Sequence, residues 1–275
     1  MKCINFDRQF ERYMTEWVSD NGEKYKNNMD VIEAMMPDVY MEFLAKPASW
    51  LDGASPSAYF GQFSDPQMLV EWMNTYIATG VPVPDLLLER IVDLGGASED
   101  SLMAILEDEA AGEEAQMTAI SLLREMQSVR PMKMNISYIA TIKDADEKAD
   151  MCAESLVSMG EDAVAAIVAA LDTASDAAKD IFADILSNYP GEEKAFELLM
   201  DRFAIREEKR ALFASYLAKF GDDRALPALY AAAQLNEISY LDYVEVVNAI
   251  DALGGDRPPE REFAGDPYYE SLKRV

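Results

Sequence analysis

Three pairs of acidic residues recur along this sequence at a spacing that places both members on one face of a helix. The members of each pair are four residues apart, so their side chains are neighbours on an α-helix. Neighbouring carboxylates repel each other unless a cation offsets their charge, and such an acidic surface favours a basic partner. The pairs are Asp85 with Glu89, Asp150 with Glu154, and Asp180 with Asp184.

The alternative is an ordinary solvated surface, because the whole chain is acidic. Its net charge is −27, from 51 acidic and 24 basic residues. This charge repels phosphate backbones, so the composition argues against nucleic-acid binding. It favours a basic protein or peptide as the partner, if the acids bind anything.

The sequence has few groups suited to catalysis. It contains no histidine, which excludes Ser-His-Asp and Cys-His triads and most catalytic zinc sites. Neither cysteine, Cys3 or Cys152, has metal-site spacing, and the apolar helical neighbours of Cys152 favour a buried thiol over a nucleophile. The acidic turn at 144–150 lacks the central glycine and the late glutamate of a calcium-binding loop. We therefore expect no enzyme activity, no cofactor and no catalytic metal.

A second candidate site is aromatic and lies near the N-terminus, where all 3 tryptophans occur. The aromatic side chains can seal one end of the fold as a cap, or they can rim a pocket for a small molecule. The pocket alternative consists of Trp50, Tyr59, Phe60 and Trp72.

The elements that carry the acidic pairs recur with a period of about 31 residues. In one copy, Leu212, Phe213, Tyr216, Leu217 and Phe220 have the spacing of a single buried helix face, which ends at Gly221. Similar offsets recur at 86–94, 151–159, 181–189 and 246–253, and a second apolar pattern follows most of these helices. Each unit is predicted to be two short helices joined by a tight turn.

The turn in "KFGDDRALPALYAAA" shows how one helix passes into the next. Gly221 can adopt the left-handed conformation that ends a helix, and Asp222 or Asp223 can cap the following helix. Pro227 then falls near the end of the first turn, where most N–H groups have no intrahelical partner. The sequence predicts six such helix pairs: 66–78 with 84–94, 98–109 with 113–127, 132–142 with 147–159, 162–172 with 176–189, 192–204 with 206–220, and 223–234 with 239–253.

This glycine-acid-acid opening, followed by "ALPALYAAA" and "YLDYVEVVNAIDALGG", resembles the HEAT repeat and its HEAT-like relatives. In "DAVAAIVAALD", Ala165 takes the place of Pro227, and Asp172 falls where that family often has an inter-helix aspartate. The resemblance covers about residues 65–255. It implies an all-α fold, a right-handed α-solenoid of about six helix pairs that chiefly binds proteins. It also implies that the second helices line the concave face, where the acidic pairs would form one stripe.

Three regions are expected from this reading. Residues 1–64 form an atypical helical N-terminal cap, 65–255 form the repeats, and 256–275 form an irregular tail. Tyr268 and Tyr269 either pin this tail or serve as a recognition element. No signal peptide or long apolar stretch is evident, so a cytoplasmic protein without membrane contact is expected.

The expected function is non-catalytic binding of a basic protein or peptide along the concave face. The alternative is an enzyme or enzyme accessory, similar to lyase-like or chaperone-like HEAT proteins, with a small-molecule pocket at the aromatic cap.

Overall fold

The computed structural model describes residues 3–25 and 28–272, and all regular secondary structure in these residues is helical. The predicted all-α class is therefore confirmed. Within the same residues, no helix is both long and apolar enough to cross a membrane. The chain divides into two compact units, Met1–Pro131 and Met132–Val275. The first unit contains the predicted cap and the first two predicted helix pairs.

Four helices precede the repeats in the N-terminal unit: α1 Phe6–Asn21, α2 Met29–Ala34, α3 Met36–Ala45 and α4 Pro56–Tyr59. The chain breaks between α2 and α3 at Met35, and Pro37 lies in the first turn of α3. The missing N–H of Pro37 costs no intrahelical hydrogen bond at that position.

Two helix pairs complete the N-terminal unit: α5 Pro66–Thr79 with α6 Asp85–Asp93, and α7 Gly96–Glu107 with α8 Glu113–Glu125. Asp65 caps α5 by accepting a hydrogen bond from the backbone N–H of Met68 at 3.3 Å. First helices pack on first helices, α5 against α7, and second helices on second helices, α6 against α8.

The C-terminal unit contains four further helix pairs and one terminal helix. The helices of the four pairs begin and end within a few residues of their predicted limits. The pairs are α9 Met132–Thr141 with α10 Glu147–Ser158, α11 Glu161–Ala170 with α12 Asp176–Leu186, α13 Glu193–Ile205 with α14 Arg210–Phe220, and α15 Leu226–Ala233 with α16 Tyr240–Ala252. Within this unit, α9 packs on α11, α10 on α12, and α14 on α16. The terminal helix is α17 Pro267–Leu272.

The turn between α14 and α15 has the predicted geometry. Gly221 has φ +79° and ψ +21°, the left-handed conformation that glycine adopts without a Cβ clash. The carboxylate of Asp222 accepts a hydrogen bond from the backbone N–H of Arg224 at 3.0 Å. Pro227 is the second residue of α15, so its missing N–H leaves no intrahelical hydrogen bond unmade.

The repeated apolar faces form most of the core. On α14, Phe213, Leu217 and Phe220 are buried, as the repeat predicts. The first position of the predicted face differs, because the Leu212 side chain remains 42% exposed.

Residues 253–272 cross the last helix pair and are tied to it by hydrogen bonds. The hydroxyl groups of Tyr230 and Tyr243 donate to the backbone carbonyls of Asp256 and Pro259, at 2.8 and 3.1 Å. The rings of Phe263, Tyr268 and Tyr269 pack around Tyr240. These contacts support the pinning interpretation of the two tail tyrosines. The sequence missed α17, and the predicted basic end, Lys273 and Arg274, lies outside the described residues.

Candidate binding surfaces

The acidic pair on α6 faces solvent. Both Asp85 and Glu89 are exposed, and Asp85 occupies the first turn of the helix, where the helix dipole favours a negative charge. Within residues 3–25 and 28–272, no Lys or Arg lies within ion-pair distance of either carboxylate. This pair therefore presents two uncompensated charges at the surface of the N-terminal unit.

The acidic pair on α10 is also exposed. Asp150 lies in the first turn of the helix, and Glu154 lies one turn later. The helix begins at Asp146, whose carboxylate accepts a hydrogen bond from the backbone N–H of Ala149 at 2.7 Å. The N-terminal half of α10 is consequently acidic on its solvent side.

The acidic pair on α12 has different surroundings. The Asp180 side chain is only 9% exposed, and its Oδ2 accepts hydrogen bonds from Arg206 Nη2 at 2.8 Å and Lys209 Nζ at 2.7 Å. Arg202 Nη1 lies 3.7 Å from Oδ1 of the same carboxylate. A role for Asp180 in binding a partner remains a prediction, but internal cations already neutralise its charge.

Asp184 is exposed but has a neighbour in the same unit. Its carboxylate lies near the Tyr216 hydroxyl. Burial of the phenol, together with the charge and hydrogen bond of Asp184 and the charge of Asp180, holds the pKa of Tyr216 well above its usual value. The two acids of α12 are thus part of an internal network with α13 and α14.

Arg202 is the centre of the network that sequence reasoning missed. This residue is 2% exposed and lies on α13. Its guanidinium donates to Asp176 Oδ1 at 3.1 Å and to Asp201 Oδ2 at 2.9 Å. One signal was available: basic residues 202, 206 and 209 are spaced i, i+4 and i+7 in a chain that has only 24 basic residues.

The four residues of the predicted aromatic pocket belong to one packed cluster. Phe6 contacts both Trp50 and Phe60, with ring centroids 5.1 and 5.6 Å apart. Phe63 contacts both Tyr59 and Trp72, at 5.6 and 4.7 Å. Because the rings fill space against each other, the arrangement supports the cap interpretation more than the pocket.

Trp50, one of these four residues, lines a cleft. That cleft has a volume of about 370 Å³ and lies between α1 and the segment that follows α3. Tyr13 also lines it, and the Tyr13 hydroxyl donates to Glu42 Oε1 at 2.6 Å. Burial and the neighbouring Glu42 raise the pKa of Tyr13 to about 12. The small-molecule pocket remains a prediction.

A larger cleft lies between α5, α7 and α8 in the N-terminal unit. Its volume is about 640 Å³, and small or apolar side chains supply most of its wall. Val70 and Ile77 come from α5, Ala104 and Ile105 from α7, and Ala115 from α8. The sequence did not reveal this cleft. Its apolar residues fit the helical periodicity of the repeats, and the small ones among them, such as Ala104 and Ala115, carry no other signal of a cavity.

The polar side chains of this cleft are acidic or neutral. Glu71, Asp100 and Asp108 line it, and no Lys or Arg does within the described residues. The buried Oδ1 of Asn74, which also lines the cleft, has no hydrogen-bond partner. An unpaired buried carbonyl oxygen is an acceptor for a donor brought by a ligand or by water.

An exposed apolar surface occurs on α2 and α3. On α3, Met36, Tyr40 and Met41 are 42%, 39% and 63% exposed. Burial raises the pKa of Tyr40, as do the nearby charges of Asp85, Asp7 and Glu89. Methionine-rich surfaces adapt to different partners, so this region is a second place where a partner could bind.

Two observations concern metal binding and thiol chemistry. No group of three or more His, Cys, Asp or Glu side chains is placed to hold a metal ion in the described part of the chain. Cys152 is 1% exposed, and burial raises the pKa of its thiol to about 12, so little thiolate forms at neutral pH.

Comparisons with protein-family models, with curated proteins and with solved structures found no match to this chain.

Proposed function

We propose that this chain is a non-catalytic scaffold that binds a basic protein or peptide. The observation that carries the proposal is the exposed pair Asp85 and Glu89, whose carboxylates have no cation beside them in the described chain. Like charges one turn apart cost a helix a few tenths of a kcal/mol, and a basic partner would remove this cost. The net charge of −27 adds a long-range attraction for such a partner.

The helix pairs form, in this proposal, a right-handed α-solenoid of HEAT-like repeats with a helical N-terminal cap. The packing of first helices on first helices, α5 on α7 and α9 on α11, supports it, as does the packing of second helices on second helices, α6 on α8, α10 on α12 and α14 on α16. Ion pairs that join residues about one repeat apart also support it. Arg130 contacts Asp100 at 2.7 Å, and Arg224 contacts Glu193 at 2.9 Å, over 30 and 31 residues.

The binding residues we propose are a reduced set of the acids identified from the sequence. Asp85 and Glu89 are the proposed binding residues of the N-terminal unit. Asp150 and Glu154 are those of the C-terminal unit. Asp184 is a weaker member because its carboxylate also lies beside the partly buried Tyr216. Asp180 is left out, because its neutralised carboxylate would have to lose Arg206 and Lys209 before it could bind another cation.

Selection from a random peptide library displayed on phage, panned on the whole chain at low salt, tests the proposal. We expect the enriched peptides to be rich in Lys and Arg, and their affinity to fall as the salt concentration rises. The variant Asp85→Lys/Glu89→Lys should bind a selected peptide about fivefold more weakly, mainly through slower association.

The matched control is Glu11→Lys/Asp20→Lys, which makes the same change in charge at two exposed positions on α1. If both variants weaken binding equally, the effect is one of bulk charge and the acidic pair is not a site. Enrichment of neutral or acidic peptides, or of none, would contradict the proposed function itself.

A further inference from the structure

We propose that the cleft between α5, α7 and α8 is a docking site for a short cationic peptide segment whose apolar side chains enter the cleft. This inference rests on the proposed function and adds to it a second, more specific surface. The cleft has a volume of about 640 Å³, which is enough for several side chains.

Small residues make the space. Ala104 on α7 and Ala115 on α8, with Ala111 and Gly112 in the turn between them, line the cleft where larger residues would fill it. Val70, Ile77 and Ile105 provide the larger apolar contacts. An apolar side chain bound here would leave water, and this burial of apolar surface favours binding.

The charges at the cleft argue for a cationic occupant. Glu71 accepts a hydrogen bond from Gln67 Nε2 at 3.2 Å, and Asp108 accepts one from the backbone N–H of Ala110 at 2.9 Å. Both donors are neutral, so neither hydrogen bond offsets the negative charge of its carboxylate. Asp100 differs, because it already pairs with Arg130 at 2.7 Å.

Two further features favour a segment that carries N–H donors as well as positive charge. Asp108 is the C-terminal cap of α7, and the negative end of the helix dipole adds to the attraction for a cation there. The unpaired Oδ1 of Asn74 can accept a hydrogen bond from a peptide N–H or from a Lys or Arg side chain. A second copy of this chain is a poor occupant, because two chains of charge −27 repel each other.

The test uses one synthetic peptide taken from the basic sequences selected on the whole chain, with its dissociation constant measured by fluorescence anisotropy. The variant Glu71→Gln/Asp108→Asn removes both charges and keeps the side-chain shapes. We expect it to weaken binding about tenfold. The matched control, Glu107→Gln/Glu109→Gln, removes two exposed charges next to Asp108 that do not line the cleft, and it should change affinity less than about twofold.

A second variant blocks the space and leaves the charges unchanged. Ala104 is exposed and lines the cleft, so Ala104→Leu adds bulk without overpacking the core. It should also weaken binding about tenfold. Its control is Ala169→Leu at an exposed position on α11, and circular dichroism at 222 nm confirms that both variants fold.

The outcomes separate the two proposals. If the peptide binds, and if binding responds to Asp85→Lys/Glu89→Lys but not to the two cleft variants, the docking site is wrong and the proposed function stands. If no basic peptide binds the whole chain, both are wrong. Loss of binding in both cleft variants, with both controls unchanged, supports the docking site.

Discussion

Helices α6 and α12 carry acidic pairs at the same position of the repeat, yet the surroundings of the two pairs differ. On α6, Asp85 and Glu89 face solvent without a described cation. On α12, Asp180 is nearly buried and binds Arg206 and Lys209. The position within the repeat fixes the helix face on which an acid lies. The neighbouring helices decide whether that acid remains available to a partner.

Removing the charge of Asp180 should have the largest effect on the free energy of unfolding. Asp180→Asn leaves Arg206 and Lys209 without their shared carboxylate, and we expect the free energy of unfolding to fall by about 3 kcal/mol. Asp85→Asn should change it by no more than about 0.5 kcal/mol. Urea denaturation followed by circular dichroism at 222 nm measures both, and equal shifts would show that the two acids do not differ.

A double-mutant cycle gives the next largest effect. Asp180→Asn and Arg206→Met, alone and together, should show a coupling free energy of about 1–2 kcal/mol, because the two side chains share a hydrogen bond. The same cycle with Asp85→Asn and Arg90→Met should be additive, since Arg90 Nε donates to the carbonyl of Phe63 instead. Coupling in the α6 cycle would mean that Asp85 also has an internal partner.

Alkaline pH tests the α12 network through Tyr216. The pKa of Tyr216 is raised in the folded protein, so its contribution to stability is present below about pH 10 and is lost as pH rises further. Tyr216→Phe removes the hydroxyl beside Asp184 and should lower stability at neutral pH by about 1 kcal/mol. Denaturation at increasing pH should bring the stabilities of the two proteins closer together above pH ~10. A constant difference would contradict this.

The smallest expected effect is at the acidic pair on α6, where removing a charge should stabilise the protein instead of destabilising it. Glu89→Gln removes the repulsion between Asp85 and Glu89, so it should raise the free energy of unfolding by a few tenths of a kcal/mol. Thermal unfolding at low salt is the suitable measurement, and the gain should disappear at high salt. Destabilisation by Glu89→Gln would show that the carboxylate has a structural role.

The sequence was a good guide to the helices, because the signals for their ends are local. Gly221, Asp222 and Pro227 occupy the positions that end one helix and begin the next, and the structure has all three in these roles. The short α17 was missed because six residues are too few to show a helical period.

The sites were harder to predict, because they depend on contacts between distant residues. The surroundings of Asp180 depend on Arg206 and Lys209, which lie 26 and 29 residues later in the chain. The cleft near Ala104 depends on how three helices pack, and an alanine in the sequence does not reveal whether another side chain fills the space beside it. Periodicity identifies the face of a helix, but not its neighbours.

The C-terminal segment that crosses α15 and α16 has a consequence for assembly. A stack of similar helix pairs has no natural last member, because each pair exposes an apolar side that another pair could cover. Here the rings of Phe263 and Tyr269 cover Tyr240, and Arg261 donates at 3.0 Å to the carbonyl of Ala233 at the end of α15. If the helix pairs stack as proposed, this segment takes the place of a further pair against α15 and α16, and we expect chains not to join end to end.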